Sequence, residues 1–417
     1  MKVKKESVYK IIIGILILLQ FAEIVLGANY YFSNKIKPTY NPDLVTYLLN
    51  NYSSKADIFD TEKYDLFVSG EAHATQKNYD VQMEMIKHLS ENSDLRYIIA
   101  EDSMANALLI NSYLETGNTD KLDIVFKELK NTYAGNIEGY KFFQNLYEFR
   151  KTLPDDKKFT YLGVDIEHQT NLTVSYLYDV ASRNGVYENI KEFIENFKQK
   201  KEKNELISSL EKIYSDIEKN SDVYSEKLGE EFWIFKYLIK NTLNTYKSKL
   251  IKDGTQWGVF REEIMKENFY EIYNHFPKGK YYGQWGLEHA YLSNLKTDNY
   301  PEDKPRLATA LNSEENSPVK NKVCSTAIRY FDSFQTNLKG FEPEKINNPV
   351  SNNYSEIDSL KLFAQDSIQF FKLDSEGSPF SKELYFIPEN SSKSGVTTDY
   401  FKNIIVVKNS SACGKLS

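Results

Sequence analysis

Short apolar segments alternate with longer segments of helical periodicity in the first half of the chain. The apolar runs have the length of strands and are bounded by polar residues or glycine; they cover residues 65–69, 96–100 and 159–164. Between the first two runs, apolar side chains recur at helical spacing over residues 81–89. Such alternation predicts an α/β fold with a central, mostly parallel sheet flanked by helices.

The pattern changes between residues 170 and 250, where no segment has the character of a strand. Lys, Glu, Ile, Leu and Tyr recur there at helical periods, which predicts several helices inserted into the α/β domain as a cap. The aromatic side chains within residues 223–246 are expected to form the core of this cap or to line an apolar substrate pocket. Residues 61–169 and 251–417 would then be the two parts of the α/β domain, preceded by a lead-in segment over 29–60.

The second part of the domain is predicted to begin with a helix over residues 255–275. A fourth strand follows over residues 280–285, and a further strand is expected over 306–311. Two short apolar runs, at residues 383–387 and 403–407, are predicted to be edge strands that complete the sheet.

The N-terminal segment has the pattern of a membrane-targeting sequence. Four lysines lie within the first ten residues, and an apolar run over residues 11–19 follows and resumes after Gln20 as far as Ala28, with Glu23 inside it. Residues 1–28 are therefore predicted to be a signal peptide, or a membrane anchor through residues 11–28 if they are not cleaved. Both alternatives place the protein outside the cell, secreted or anchored on the outer face of the membrane.

Composition narrows the classes of partner. The 417 residues include 52 Lys+Arg and 59 Asp+Glu, and the formal net charge of −7 is the opposite of a nucleic-acid-binding footprint. We therefore expect a small-molecule substrate and no nucleic acid. The two cysteines, Cys324 and Cys413, are expected to form a disulfide or to remain two free thiols.

Three of the five histidines lie just beyond predicted strand ends. His73, His168 and His289 each have an acidic residue within two positions, and the second strand is followed by Glu101 and Asp102. Because the carboxyl ends of parallel strands meet at one edge of a sheet, these side chains are expected to converge in one crevice. The other two histidines, at positions 88 and 275, lie in predicted helices and are expected to be structural.

A cluster of this kind can do two sorts of chemistry. A neutral histidine acts as a general base near pH 7, and a neighbouring carboxylate fixes its tautomer and raises its basicity. Glu71 and His73 are two positions apart on an extended segment, so both can face one site. Histidine nitrogen and carboxylate oxygen are also suitable ligands for a divalent metal. The chain has neither the Gly-x-Ser-x-Gly turn of α/β hydrolases nor a glycine-rich phosphate loop.

Six short sequence segments, taken together with their order along the chain, indicate a resemblance to known proteins. They are Gly-Glu-Ala-His-Ala-Thr at 70–75, Ile-Ile-Ala-Glu at 98–101, Asn-Ser-Tyr-Leu-Glu-Thr-Gly at 111–117, Gly-Val-Asp at 163–165, Arg-Glu-Glu-Ile-Met-Lys-Glu-Asn at 261–268, and Gln-Trp-Gly-Leu-Glu-His-Ala at 284–290. Their order and spacing resemble those of the erythromycin-esterase-like superfamily, which also includes ChaN-like haem-binding lipoproteins and Tiki-type proteases. The resemblance covers residues 65–295.

The resemblance implies roles for individual residues. His73 would be the general base that activates water, Glu71 and Glu101 would orient it or hold a metal, and His289 and Arg261 would assist binding or stabilise an oxyanion. The candidate metal ligands are Glu71, His73, Glu101 and His289. The further candidates for binding substrate are Asp165, Glu167, His168, Glu288 and Asn268.

Two departures from the family pattern bear on the substrate. Macrolide esterases have two residues between the glutamate and the histidine of the first motif, whereas this chain has only Ala72. Their fourth strand carries two histidines three positions apart, and here the first of these positions is Gly286. We therefore expect a hydrolase of another ester, lactone or amide. The alternative is a haem- or metal-binding protein on the same fold, with haem the less favoured cofactor; a catalytically inactive surface protein is a third alternative.

Overall fold

The computed structural model describes residues 41–296, 300–301, 303–346, 357–363, 368–388, 391 and 394–416. The predicted signal peptide or anchor over residues 1–28 lies outside this range. Within it, we find no helix with the length and apolar character needed to cross a membrane.

The helices of the described residues are numbered in chain order. They are α1 (Pro42–Asn50), α2 (Lys77–Asn92), α3 (Met104–Thr116), α4 (Thr119–Glu128), α5 (Ile137–Thr152), α6 (Thr170–Arg183), α7 (Tyr187–Lys198), α8 (Lys203–Lys219), α9 (Ser221–Leu228), α10 (Phe232–Ser248), α11 (Gly254–His275), α12 (Leu307–Ser313), α13 (Ile357–Lys361) and α14 (Thr397–Tyr400). Residues 170–250, which the structure describes in full, contain the five helices α6–α10 and no strand, which confirms the helical prediction for this segment.

The strands confirm a mostly parallel central sheet. They are β1 (Tyr52–Ser53), β2 (Leu66–Glu71), β3 (Leu95–Ala100), β4 (Thr160–Gly163), β5 (Lys280–Gly286), β6 (Val323–Phe331), β7 (Ser333–Asn337), β8 (Glu342–Ile346), β9 (Ile368–Lys372) and β10 (Asn403–Lys408). Eight of them form one sheet in the order β1-β9-β10-β6-β2-β5-β3-β4, and β7 and β8 form a separate hairpin. The six strands from β10 to β4 are parallel, whereas β9 is antiparallel to both of its neighbours.

The central strands are buried on both faces because helices cover the sheet from both sides. In β2 the first five residues are all buried, and in β6 all nine are. Such strands lose the alternation of apolar and polar residues and become nearly continuous apolar runs. This explains why β2, β3, β4 and β5 could be predicted as short apolar segments.

Four parallel strands bring the candidate chemistry to one edge of the sheet. β2 ends at Glu71, β3 is followed by Glu101, β4 by Asp165, and β5 by the turn that carries His289. The register places Glu71 opposite Gly286 on the neighbouring strand. The crevice predicted at the carboxyl ends of the strands is therefore present.

Three predictions for the second half of the chain are wrong. Residues 306–311 lie in helix α12 and its N-cap, not in a strand. Residues 383–387 form no strand because Phe386 adopts a left-handed φ of 61°, which interrupts extended backbone. Residues 403–407 do form a strand, β10, but it lies inside the sheet between β6 and β9 and is not an edge.

Two other expectations concern the start of the chain and the cysteines. Of the predicted lead-in, the structure describes residues 41–60, where α1 buries Leu44 and Leu48 and β1 pairs with β9. Cys324 and Cys413 are both buried free thiols.

Candidate active site

A cavity of about 400 Å³ lies at the carboxyl ends of the parallel strands. One side is polar, and it combines side chains that follow β2, β3 and β4 with one from helix α11. These are Glu71, His73, Glu101, Asp102, Asp165, His168, Gln169 and Arg261. The volume falls within the usual range for a small-molecule site.

Another part of the lining comes from α4, α5 and the connection between them. It includes Phe126, Leu129, Tyr133 and Phe143. No residue of 170–250 lines this cavity, although the whole of that segment is described. The alternative that aromatic side chains within residues 223–246 line the substrate pocket is therefore wrong for this cavity, where residues 126–143 supply the aromatic lining together with Tyr79 and Tyr161.

The Glu71–His73 pair is held by contacts on both sides. The Nδ1 atom of His73 lies 3.0 Å from Glu71 Oε1, and Gln284 donates a 2.6 Å hydrogen bond to Glu71 Oε2. The intervening Ala72 donates its N–H to the Tyr330 hydroxyl at 3.0 Å, and its carbonyl accepts from Asn78 at 2.7 Å. These bonds fix the loop that presents His73 to the cavity.

The Nε2 atom of His73 has no hydrogen-bond partner in the described part of the chain. Its nearest charged neighbour is Glu101 Oε2 at 4.0 Å, and the His73 side chain remains 39% exposed. The ring of Tyr133 lies beside it at a centroid distance of 5.6 Å. Because Nδ1–H donates to Glu71, the neutral ring presents an unprotonated Nε2 to the cavity.

Two opposing effects set the basicity of His73. Burial alone would lower its pKa, but the negative charges of Glu101 and Glu71 outweigh that effect, and the pKa lies above its ordinary value. A carboxylate-supported histidine of this kind is a stronger base than a free imidazole.

A cluster of buried charges lies behind His73. Arg261 donates to Glu101 Oε1 at 2.7 Å and to Asp165 Oδ1 at 2.9 Å, and its Nη2 also contacts Asp165 Oδ2. His289 lies between Glu101, at 3.2 Å, and Glu262, at 2.7 Å. The side chains of all five residues are at most 14% exposed. The cluster therefore holds two cationic groups among three carboxylates, away from bulk water.

The two cations control the protonation of the carboxylates. Burial would raise the pKa of Glu101, but His289 and Arg261 outweigh it and hold the pKa well below its usual range. Burial would likewise lower the pKa of His289, but Glu262 and Glu101 raise it to about 10. His289 is thus an imidazolium that donates to both carboxylates, and not a second base.

A second histidine–carboxylate pair lines the same cavity. His168 Nε2 lies 2.9 Å from Asp165 Oδ2, and the His168 side chain is 39% exposed. Asp165 itself is 1% exposed and is shared between His168 and Arg261. Burial opposes protonation of His168, but Asp165 outweighs it and raises the pKa of His168.

Asp102 lines the cavity, as expected from its position after the second strand, although the sequence assigned it no role there. Its Oδ1 accepts hydrogen bonds from Ser103 N–H at 2.8 Å and from Asn106 Nδ2 at 2.7 Å. Burial raises the pKa of Asp102 to about 7, because these bonds only partly offset the lost hydration. Its position directly after Glu101 was the available signal. For Tyr133 no signal existed, since it reaches the cavity from a distant connection.

Two of the predicted substrate-binding residues are structural. Glu167 is fully buried and accepts from the backbone N–H groups of Met104 and Ala105, so it caps the N-terminus of α3. Asn268 is also buried, and it donates to the carbonyl of Val164 at 2.9 Å. Neither side chain lines the cavity.

Glu288 is also excluded from the cavity. It pairs with the buried Arg306, whose Nη2 lies 2.6 Å from Glu288 Oε2, and it does not line the cavity. The structure thus brings together His73, Glu71, Glu101, Arg261, Asp165 and His168 at the cavity, with His289 behind them.

The arrangement does not fit a divalent metal. The sequence offered four ligands: Glu71, His73, Glu101 and His289. Both oxygens of Glu101 are engaged, one by Arg261 and the other by the N–H of Gly286 at 2.7 Å, and both ring nitrogens of His289 contact carboxylates. The guanidinium of Arg261 would also repel a cation at Glu101. In the described part of the chain, no three His, Cys, Asp or Glu side chains are grouped to hold a metal ion.

Comparisons with known proteins give matches among solved structures. No protein-family model matches the chain, and no curated protein matches it. A Bacillus cereus protein is similar at 14% identity and a TM-score of 0.64, covering 91% of this chain and 100% of its own. A succinoglycan biosynthesis protein is similar at 12% identity and a TM-score of 0.67, covering 89% of this chain and 98% of its own.

The third structure is a mutant of the erythromycin esterase EreC in its open conformation. It is similar at 13% identity and a TM-score of 0.62, covering 86% of this chain and 93% of its own. Identities this low establish the fold alone. The resemblance expected from the sequence is confirmed at that level: the chain has the erythromycin esterase-like α/β fold.

Proposed function

We propose that the protein is a hydrolase that cleaves an ester, lactone or amide with water activated by His73. The observation that carries the proposal is the state of this side chain. Its Nδ1 is held by Glu71 at 3.0 Å, and its Nε2 faces the cavity without a hydrogen-bond partner in the described part of the chain. This is the arrangement of a general base that is oriented by a carboxylate.

The proposed reaction begins when neutral His73 takes a proton from water through Nε2. The water oxygen then attacks the substrate carbonyl carbon, and Glu71 stabilises the imidazolium by accepting its Nδ1–H. Collapse of the tetrahedral intermediate breaks the bond to the leaving oxygen or nitrogen, which takes the proton from His73 Nε2 and regenerates the neutral base. The Glu101 carboxylate, 4.0 Å from Nε2, adds a second negative charge that favours the same protonated state.

Arg261 is proposed to stabilise the negative charge that develops on the carbonyl oxygen. It lines the cavity, and its buried partners hold it in one orientation, so it needs no reorganisation during the reaction. His289 contacts both Glu101 and Arg261 and is proposed to position them; it does not reach the lining of the cavity.

The cavity favours a substrate with an apolar part beside the scissile bond. Phe126, Leu129, Tyr133 and Phe143 give the cavity apolar and aromatic lining in addition to its polar groups. An ester, lactone or amide joined to a hydrocarbon body would bury that body against this lining.

We also propose that the enzyme acts outside the cell. The support is the basic N-terminus followed by the apolar run at residues 11–19. A fusion of residues 1–28 to a reporter enzyme, compared with the same fusion lacking residues 11–19, would report export. Equal retention of both fusions in the cytoplasm would contradict the proposal.

The chemical class is tested by a screen of the purified full chain. Acetate and butyrate esters, five- and six-membered lactones and simple amides would be incubated at neutral pH, with product acid measured by titration. We expect turnover of at least one carboxylic acid derivative. Absence of turnover across the screen, with a Soret absorbance after addition of haem, would replace the hydrolase by the haem-binding alternative.

A further inference from the structure

Beyond His73, the cavity contains a second set of oriented polar groups that the proposed reaction does not use. Asp102, His168 and Gln169 all line it, at the ends of β3 and β4. In the sheet order, β4 is three strands from β2, so these groups lie roughly 10–14 Å from the strand that leads to His73, measured across strand axes.

Buried hydrogen bonds determine which atoms of this set face the cavity. Asn106, which is fully buried, donates to Asp102 Oδ1 at 2.7 Å and to Gln169 Oε1 at 2.9 Å. Ser103, also fully buried, donates its hydroxyl to Gln169 Oε1 at 2.8 Å. These hydrogen bonds fix Oδ1 of Asp102 and Oε1 of Gln169. The second polar atom of each side chain, Oδ2 of Asp102 and Nε2 of Gln169, takes no part in them.

Each of the three side chains keeps one polar atom that does not bond to the described part of the protein. Asp102 Oδ2 and Gln169 Nε2 have no hydrogen-bond partner in the described ranges, and neither is sealed from solvent. His168 uses Nε2 for Asp165, which leaves Nδ1 without a protein partner in the same ranges. The set thus offers one acceptor, Asp102 Oδ2, and one donor, Gln169 Nε2, beside His168 Nδ1, which accepts on the neutral ring and donates on the protonated ring.

Charge decides what such a set can bind. An anionic group would meet the carboxylates of Asp102 and Asp165, and a cationic group would meet the guanidinium of Arg261, so a charged ligand of either sign would be repelled by part of the lining. A hydroxyl group both donates and accepts and carries no charge, so it can donate to Asp102 Oδ2 and accept from Gln169 Nε2.

We propose that Asp102, His168 and Gln169 form a subsite that binds a hydroxyl group of the substrate, at the end of the strand order away from His73. This inference rests on the proposed hydrolase function and narrows it: the preferred substrates are hydroxylated esters, lactones or amides. Asn106 and Ser103 are positioning residues in this subsite, since they act through Asp102 and Gln169.

A series of ω-hydroxyalkyl acetates of increasing chain length tests the subsite, each compared with the n-alkyl acetate of equal length. For the wild-type full chain, we expect the hydroxyl to raise kcat/KM by about tenfold or more at one chain length, and little at others. Asp102→Asn keeps the Oδ1 acceptor but replaces Oδ2 by a donor, so the hydroxyl-to-alkyl ratio should fall towards one. Gln169→Glu should lower the same ratio, because it replaces the donor by an acceptor.

His275→Gln is the matched control, since His275 stacks on Trp233 away from the cavity and should leave the ratio at its wild-type value. A wild-type ratio near one at every chain length would overturn the subsite while leaving the hydrolase intact. An unchanged ratio in both Asp102→Asn and Gln169→Glu would do the same. Failure of the wild type to hydrolyse either series, together with an inactive substrate screen, would overturn the hydrolase and the subsite with it.

Discussion

Arg261 is the cation on which the buried charge cluster depends. It contacts Glu101 and Asp165 directly, and its side chain is 14% exposed, whereas Asp165 is 1% and Glu101 13% exposed. Replacing it by glutamine removes the positive charge but keeps a polar side chain of moderate length. Both carboxylates would then remain buried with only histidines to offset their charge.

The expected cost depends on the burial of these groups. Removing one partner of a buried ion pair typically costs about 3–5 kcal/mol, because an uncompensated charge stays behind. That is a large fraction of the roughly 5–15 kcal/mol by which domains are stable. With an unfolding entropy of about 2.1 cal/mol/K per residue, it corresponds to a fall in Tm of about 3–6 °C for a chain of this length.

Thermal unfolding of Arg261→Gln, Asp165→Asn and the double variant would measure both the cost and its origin. If the cost arises from unpaired charge, neutralising Asp165 should recover part of it, and the double variant should be more stable than the sum of the single effects predicts. A Tm within 1 °C of wild type for Arg261→Gln, or strictly additive effects in the double variant, would refute this reasoning.

Three further predictions concern His73 and its surroundings. Since the pKa of His73 is raised, kcat/KM should increase with pH, with the midpoint of the increase above pH 6.5. Glu71→Gln should lower that midpoint, because the carboxylate that favours the protonated ring is removed. An unchanged midpoint in Glu71→Gln would contradict the role of Glu71 in raising the pKa of His73. A Cβ at Gly286 would lie 3.0 Å from His73 Nε2, so Gly286→Ala should displace the base and lower kcat/KM about tenfold. Gly258→Ala is the control, since a Cβ there would come no closer than 3.9 Å to another residue, the ring of Tyr300. Equal kcat/KM values for the two variants would contradict the close approach of Gly286 to His73. With its folded-state pKa raised to about 10, His289 contributes stability below pH 6.5 that is lost as pH rises towards 10, so urea unfolding should show this loss in wild type and not in His289→Gln.

The edge of the sheet that carries the candidate site could be predicted from the sequence more accurately than the rest of the sheet. Parallel strands buried on both faces are short apolar runs, and the residues just after such strands all lie at one edge of the sheet. Glu71, Glu101 and Asp165 could therefore be brought together without knowing the strand order. The central strand β6 was missed because Ser325, Thr326 and Arg329 interrupt its apolar character.

Other features depend on contacts that no local pattern encodes. Glu167 lies between Asp165 and His168, which both line the cavity, yet its carboxylate accepts the backbone N–H groups that cap α3. The cavity wall at residues 126–143 comes from a helical stretch that resembles any other amphipathic segment. Asp102 was visible beside Glu101, but its orientation depends on the buried amide of Asn106.

The most direct test of water activation by His73 is the kcat/KM of His73→Gln on whichever ester, lactone or amide the wild type hydrolyses fastest. Glutamine keeps a polar side chain near Glu71 but cannot accept a proton at neutral pH. Loss of a general base predicts a fall of about 10²–10⁴-fold at an unchanged Tm. A His73→Gln protein that is folded and retains wild-type kcat/KM would contradict the assignment of His73 as the base.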